Sequence, residues 1–220
     1  MAEASREEVI HEIARRVDRL ELSHPARVGV DGPSAAGKTI FSDELAAVLR
    51  GMGREVIRAG LDGFHNPPEI RHRQGPHSVD GYLDDSFDFK AVRRHVLDPL
   101  GPRGDLSYVE EIFDHKLGEA CDPHPERADA QAILVFEGVT LFREELADAF
   151  DYKILVQASF AVVLERAKTR DLDHFGNMET LLNKYTQRFI PGQRRYLEER
   201  RPEELVDALV TNDDWNRPML

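Results

Sequence analysis

Gly32-Pro33-Ser34-Ala35-Ala36-Gly37-Lys38-Thr39 fits the pattern G-x-x-x-x-G-K-[ST] at every fixed position. Each fixed residue has a chemical task in a P-loop. Gly32 and Gly37 allow the tight turn that brings backbone N–H groups up to phosphate oxygens. Lys38 reaches the β- and γ-phosphates, and the Thr39 hydroxyl ligates Mg²⁺. The flanks supply the context that separates a P-loop from an ordinary glycine-rich turn. Arg27–Asp31 reads as a short buried strand. Ile40–Arg50 reads as a helix with Phe41, Leu45, Val48 and Leu49 on one face and Gly51 at its end. Such a helix presents its N-terminal amides to an anion. Gly32–Thr39 is therefore expected to hold ATP, with Mg²⁺ beside it.

The composition bounds what else the chain does. Its 220 residues suit one α/β domain spanning 1–220. Lys and Arg number 29 against 41 Asp and Glu, and the net charge of −12 argues against nucleic-acid or anionic-membrane partners. Any anionic substrate must then be met by a local basic cluster. The single Cys121 forms no internal disulfide and fits a cytoplasmic location. Glu3, Arg6, Glu7 and Glu8 do not suit a signal peptide, and the apolar stretch Ala132–Phe142 is too short to span a membrane. A homo-oligomer is compatible with this composition.

Ser5-Arg-Glu-Glu8 is a capping box, and Val9, Ile10, Ile13, Val17 and Leu20 follow at helical spacing until His24-Pro25. Arg54–Ala59 reads as a second strand that delivers Gly60-Leu-Asp-Gly-Phe-His65 at its carboxyl end, where ligands sit in open parallel sheets. Asp62 there is the candidate general base; its competing role is to cap a turn with Gly63. The polar run Asn66–Asp88 is expected to be a loop covering the acceptor, within an acceptor-covering stretch of about 63–88. His65, His72 and His77 match no metal-ligand spacing, and Arg71 and Arg73 would repel a cation. Phe89–Leu97 reads as a helix, Leu106–Val109 and Ile112–Phe113 as short strands, and Cys121–Pro125 as loop. Ala132–Phe136 is a continuous apolar run ending in Glu137-Gly138, the pattern of a buried parallel strand. An acid in that place orients Mg²⁺ or its water in P-loop proteins. Phe142–Phe150 reads as a helix, Tyr152–Val156 as a strand, and Phe160–Asp171 as a helix with Arg166 and Arg170 on one face. That face either clamps phosphate or is simply solvated. Met178–Glu198 reads as helix interrupted at Pro191, and Ala208–Thr211 as a last strand. The alternation predicts a P-loop NTPase of the nucleotide kinase-like α/β class. Its sheet is doubly wound and mainly parallel, with helices on both faces and a small helical lid near 165–185.

From Arg27 to Asn212 the chain resembles the uridine kinase and phosphoribulokinase family of P-loop small-molecule kinases. The carriers are Val28-Gly-Val-Asp-Gly-Pro-Ser-Ala-Ala-Gly-Lys-Thr39, Leu61-Asp-Gly-Phe-His65, Asp85-Ser-Phe-Asp88 and Phe113-Asp-His115. Val135-Phe-Glu-Gly-Val139, Asp151-Tyr-Lys-Ile-Leu-Val156, Arg166…Arg170-Asp171 and Tyr185…Pro191…Tyr196 complete them. The resemblance implies that Lys38 and Thr39 hold ATP and Mg²⁺, that Asp62 takes the acceptor's proton, and that Glu137 assists the metal. It implies phosphate contacts for Arg166 and Arg170, and an acceptor side formed by Asp62, Phe64, His65 and His115. Tyr82-Leu-Asp84 stands where uridine kinases carry Asp-His-Pro, Phe113-Asp-His stands for their Tyr-Asp-Phe…His, and Asn177 replaces a lid arginine. The expectation is an ATP-dependent kinase for a small-molecule hydroxyl, foremost the 5′-hydroxyl of a uridine- or cytidine-like nucleoside. The alternatives are a kinase for a sugar, pantothenate or glycerate, and a nucleotide-binding regulatory ATPase without an acceptor.

Overall fold

A computed structural model describes residues 5–115 and 117–220. Five strands build the central sheet: β1 (Ala26–Asp31), β2 (Val56–Gly60), β7 (Ile133–Glu137), β8 (Tyr152–Gln157) and β9 (Ala208–Thr211). They lie in the order β2-β7-β1-β8-β9, and every neighbouring pair is parallel. Four two-residue strands, β3 (Ser107–Tyr108), β4 (Phe113–Asp114), β5 (Glu119–Ala120) and β6 (Glu126–Arg127), form two small antiparallel ribbons outside it. This is the α/β P-loop NTPase architecture that the sequence predicts.

Side-chain alternation along the buried strands divides the core into two layers. Val28, Val30, Ile133, Val135, Ile154 and Val156 face one side. There they meet α1 (Arg6–Asp18) and α2 (Lys38–Gly51) through Ile13, Phe41 and Leu45. Leu134 and Phe136 face the other side, toward Phe142, Phe150 and Leu97. Gly29 sits on that second face, where a Cβ would come within 2.9 Å of both the Phe142 and Phe150 rings. Helix α1 starts as a capping box: the Ser5 hydroxyl accepts from the Glu8 amide and the Glu8 carboxylate from the Ser5 amide.

Three stretches differ from expectation. Asn66–Asp88 is not one loop, because it contains α3 (Pro68–Arg71) and α4 (Val79–Asp85). Pro68 at the first turn of α3 and the Ser78 hydroxyl capping Gly81 in α4 start these helices without any long apolar repeat. Phe142–Phe150 is mostly turns, with only a 3₁₀ turn at Ala147–Ala149, since its apolar residues fill the second core layer. Pro191 does not interrupt the last long helical stretch. After α5 (Phe89–Val92), α6 (Phe160–Arg170) and α7 (Leu172–Phe175), the chain runs from α8 (Met178–Lys184) through a π turn at Tyr185–Phe189 into α9 (Ile190–Arg200). The widened turn accommodates a ring that would clash with the carbonyl four residues back in a regular helix. Among the described residues, no helix is long and apolar enough to cross a membrane.

Candidate active site

The loop between β1 and α2 passes the carboxyl ends of the central strands, as the strand–loop–helix pattern requires. Gly32 has φ +149°, and a Cβ there would lie 2.0 Å from the Val156 carbonyl oxygen. Ala35 is held at φ +57°, in the left-handed region that costs a non-glycine residue energy. Strain of this kind persists only where the surroundings fix it, and here they do. The Gln193 amide oxygen accepts from the Ser34 backbone N–H at 3.1 Å, and its NH₂ donates to the Ser34 hydroxyl at 2.8 Å. On the other side Asn212 Nδ2 donates to the Ala36 carbonyl at 2.7 Å. Arg166 also reaches that carbonyl, at 3.4 Å, and donates to the Asn212 carbonyl at 2.8 Å.

Lys38 is buried, and its ammonium donates to the Pro33 carbonyl at 2.9 Å. Burial pulls its pKa below the ordinary lysine range, while the charges of Glu137, Asp31 and Asp62 act in the opposite direction. All three carboxylates therefore lie within electrostatic reach of the P-loop lysine. Glu137 arrives at the end of β7, which pairs on both sides: Gly60 of β2 and Val30 of β1 are its partners in register. The Thr39 hydroxyl donates to Glu137 Oε1 at 2.7 Å. A hydroxyl and a carboxylate, both hard oxygen donors, fit Mg²⁺, which takes few protein ligands and keeps waters and phosphates for the rest. Thr39 and Glu137 are the residues that would hold it.

Asp62 lies in the 3₁₀ turn Leu61–Phe64 directly after β2, and it is exposed. His65 follows, its Nδ1 2.9 Å from the Asp62 carbonyl oxygen. Its ring stacks at 4.4 Å on Phe87 and lies 6.0 Å from the His115 ring. Burial, with Arg71 and His115 nearby, lowers the His65 pKa despite the opposing charge of Asp62, so the imidazole is neutral at pH 7. Asp62, His65 and His115 thus share one rim. Phe64, expected beside them, is instead fully buried, its ring 6.4 Å from that of Phe136. The 3₁₀ turn sends Phe64 inward while Asp62 stays outside, so Phe64 belongs to the core.

Of the two arginines on α6, Arg166 braces the P-loop as described. Arg170 pairs with Asp171 at 2.6 and 2.9 Å and donates to the Tyr185 hydroxyl at 3.2 Å. Its charge also acts on Lys38, lowering the lysine's pKa.

Sequence reasoning missed four supports. Asp31 is fully buried and accepts from the Gly32 amide at 2.7 Å, from the Tyr196 hydroxyl, and from the Phe142 amide at 3.3 Å. Burial raises its pKa against those bonds. Gln193 and Tyr82 form the second support, Gln193 Nε2 donating to the Tyr82 hydroxyl at 2.7 Å. Asn212 is the third. Trp215 is the fourth: a Cβ on Gly37 would meet its ring at 2.8 Å, and the Arg6 guanidinium lies 4.0 Å from the ring centroid. Only the strand-end placement of Asp31 could have been read as a signal; the others come from distant helices and the tail.

The comparisons agree with this geometry. The family model described as phosphoribulokinase / uridine kinase family matches residues 27–200. Uridine-cytidine kinase B of Dictyostelium discoideum is 28% identical over 176 residues, covering 79% of this chain and 70% of that protein. The uridine kinase of Leuconostoc citreum is 25% identical over 186 residues, covering 79% and 82%. A solved structure described as a possible uridine kinase from Bacillus stearothermophilus superimposes with a TM-score of 0.70 at 17% identity, covering 91% of this chain and 96% of that one. With the P-loop, the strand-end glutamate and four of the five parallel strands in the matched region, the chain belongs to the phosphoribulokinase and uridine kinase family, and it is a phosphotransferase acting on an alcohol.

Proposed function

We propose that the protein transfers the γ-phosphoryl group of ATP, with Mg²⁺, to a hydroxyl of a small molecule, with Asp62 as the proton acceptor. The observation that carries this reading is the convergence of Asp62 and Glu137 on Lys38 from the ends of paired strands β2 and β7. Lys38 neutralises charge on the β- and γ-phosphates, and the backbone amides at the start of α2 bind their oxygens. Thr39 and Glu137 would hold Mg²⁺, which when bound would neutralise charge on the triphosphate and orient it. Arg170, and Arg166 behind the loop, add positive charge on the phosphate side. The acceptor oxygen forms the new bond to phosphorus as the bridging β–γ bond breaks, ADP leaves, and the acceptor's proton passes to Asp62.

His65 and His115 form the acceptor rim, and the segment 63–88 covers it, with a lid near 165–185 over the phosphates. A nucleoside 5′-hydroxyl of the uridine or cytidine type is the acceptor that the motif resemblance and the names of the relatives support. A non-nucleoside alcohol is favoured by a specific observation: Arg71 of the covering segment lies beside Lys184 and Arg188, and none of the three forms an ion pair among the described residues. Coupled ADP release across a panel of nucleosides, sugars and hydroxy acids tests the assignment. Acceptor-dependent release is expected; its absence with every acceptor would leave a nucleotide-binding regulatory protein.

A further inference from the structure

Arg71 closes α3 within the covering segment. Its Nε is buried with no hydrogen-bond partner, and its guanidinium carbon lies 5.8 Å from the centre of the Phe113 ring. The Phe113 ring is in turn 6.4 Å from that of His65, which stands beside Asp62 and His115. The guanidinium is thus held over the same aromatic floor as the acceptor rim. Its backbone is pinned there: buried Arg188 donates to the carbonyls of Arg71 at 2.9 Å, Gly75 at 3.2 Å and Gly81 at 3.3 Å. Lys184 donates to the Pro76 carbonyl at 3.1 Å.

The charges in this cluster are not balanced. Arg71, Lys184 and Arg188 form no ion pair among the described residues, and the hydrogen bonds of Lys184 and Arg188 go to neutral carbonyls. Asp85, whose charge acts on Arg188, is already taken by Arg73 and by Gln74 at 2.7 Å. Burial lowers Lys184 below the usual lysine range, and Arg188 and Arg71 push it further. Burial lowers Arg71 as well, and no carboxylate counters it. In a chain of net charge −12, three neighbouring cations with no ion-pair partner among the described residues are a site that an anion would complete.

We propose that Arg71 binds an oxyanion belonging to the acceptor itself, so that the molecule phosphorylated is an anionic alcohol, a hydroxy acid or a phosphate monoester with a free hydroxyl. The planar guanidinium fork suits either carboxylate or phosphate, and Lys184 and Arg188 supply the positive field behind it. The distance chain from Arg71 through Phe113 and His65 to Asp62 puts the anion at one end of the acceptor and the reacting hydroxyl at the other. This inference rests on the kinase reading above.

The test uses matched acceptors: glycerol and glycerate, ribose and ribose 5-phosphate, uridine and uridine 3′-monophosphate. The parent protein is expected to favour the anionic member of at least one pair by about tenfold or more in kcat/KM, and Arg71→Gln to lose that preference. The favoured pair distinguishes carboxylate from phosphate. Arg71→Lys, which keeps charge without the fork, should retain part of it. The thermal midpoint is measured in parallel with a non-hydrolysable ATP analogue and Mg²⁺ occupying the P-loop. A rise with the anionic member in the parent but not in Arg71→Gln supports the site even if no acceptor releases ADP, in which case only the kinase reading fails. Equal turnover of both members in every pair overturns the proposal. So does a preference that survives in Arg71→Gln, a loss of ATP affinity as large as the loss of preference, or the absence of both preference and midpoint rise.

Discussion

Thr39 and Glu137, 98 residues apart in the chain, meet through a 2.7 Å hydrogen bond at the carboxyl end of the central sheet. The contact joins the first residues of α2 to the last residue of β7, and it sets side by side the hydroxyl and the carboxylate proposed to hold Mg²⁺. Glu137→Gln keeps an acceptor for the Thr39 hydroxyl but removes the charge. The Mg²⁺ concentration needed for half-maximal turnover is expected to rise about tenfold or more, since a hard cation loses its charged ligand. A magnesium titration of parent and variant checks this, and an unchanged requirement would remove Glu137 from the metal site.

Lys38 is buried, and the charges of Glu137, Asp31 and Asp62 favour its ammonium form, the form that would meet a triphosphate. Lys38→Ala should weaken Mg²⁺·ATP binding by about tenfold or more, the loss of one charge-assisted contact. Trp215 is the single tryptophan and lies against Gly37, so its emission offers a direct titration signal, with calorimetry as the second measurement. Equal affinities in parent and variant would place the nucleotide elsewhere.

Asp62 is exposed at a strand end, and its removal leaves the packed core untouched. Asp62→Asn is expected to lower turnover by about 10²–10⁴-fold, the usual contribution of a positioned base. ATP affinity should stay within a few-fold and the thermal midpoint should hold. A variant that melts earlier yet turns over at the parental rate would assign Asp62 to capping the Gly63 turn instead.

Gln193 ties the P-loop to the covering segment, because one side chain bonds both Ser34 and Tyr82. Gln193→Leu would leave the Ser34 amide and the Tyr82 hydroxyl short of partners, costing about 1–3 kcal/mol in denaturant unfolding. Its particular signature is a fall in ATP affinity that accompanies the fall in stability, since the strained Ala35 turn loses its brace. Tyr82→Phe removes only the far bond and should affect ATP binding less. Equal effects from the two variants would show that Gln193 acts on global stability alone.

Burial works to raise the Asp171 pKa, but the bonds from Arg170 and Tyr185 outweigh it and hold it below the usual carboxylate range. A carboxylate with a depressed folded pKa stabilises the fold above its unfolded value near about pH 4 and loses that contribution as pH falls through the folded pKa. The stability difference between parent and Asp171→Asn should therefore be full at about pH 6 and shrink below about pH 4. Denaturant unfolding across that range checks it, and a constant difference would mean the pair is not what separates the two proteins.

The sequence by itself determined the parts whose signals are local. Gly32–Thr39 announces its backbone because glycine spacing and a following helix are needed for the loop to form at all. The β7 run and its terminal Glu137 are visible because a strand buried on both faces must be apolar throughout, which makes one carboxylate at its end stand out. Ser5 and Glu8 declare the start of α1 for the same reason, since capping involves residues three apart. The tertiary structure decided everything that depends on residues meeting from distant elements. Asp31 is fully buried and bonded to Tyr196, 165 residues away; its strand-end position is visible in the sequence, but its burial and its partner are not. The inward turn of Phe64, the Gln193 brace on Ser34 and the seat of Trp215 on Gly37 are likewise products of packing. A hydrogen bond across 159 residues has no period in the chain, and only the folded sheet brings Gln193 to the loop it holds.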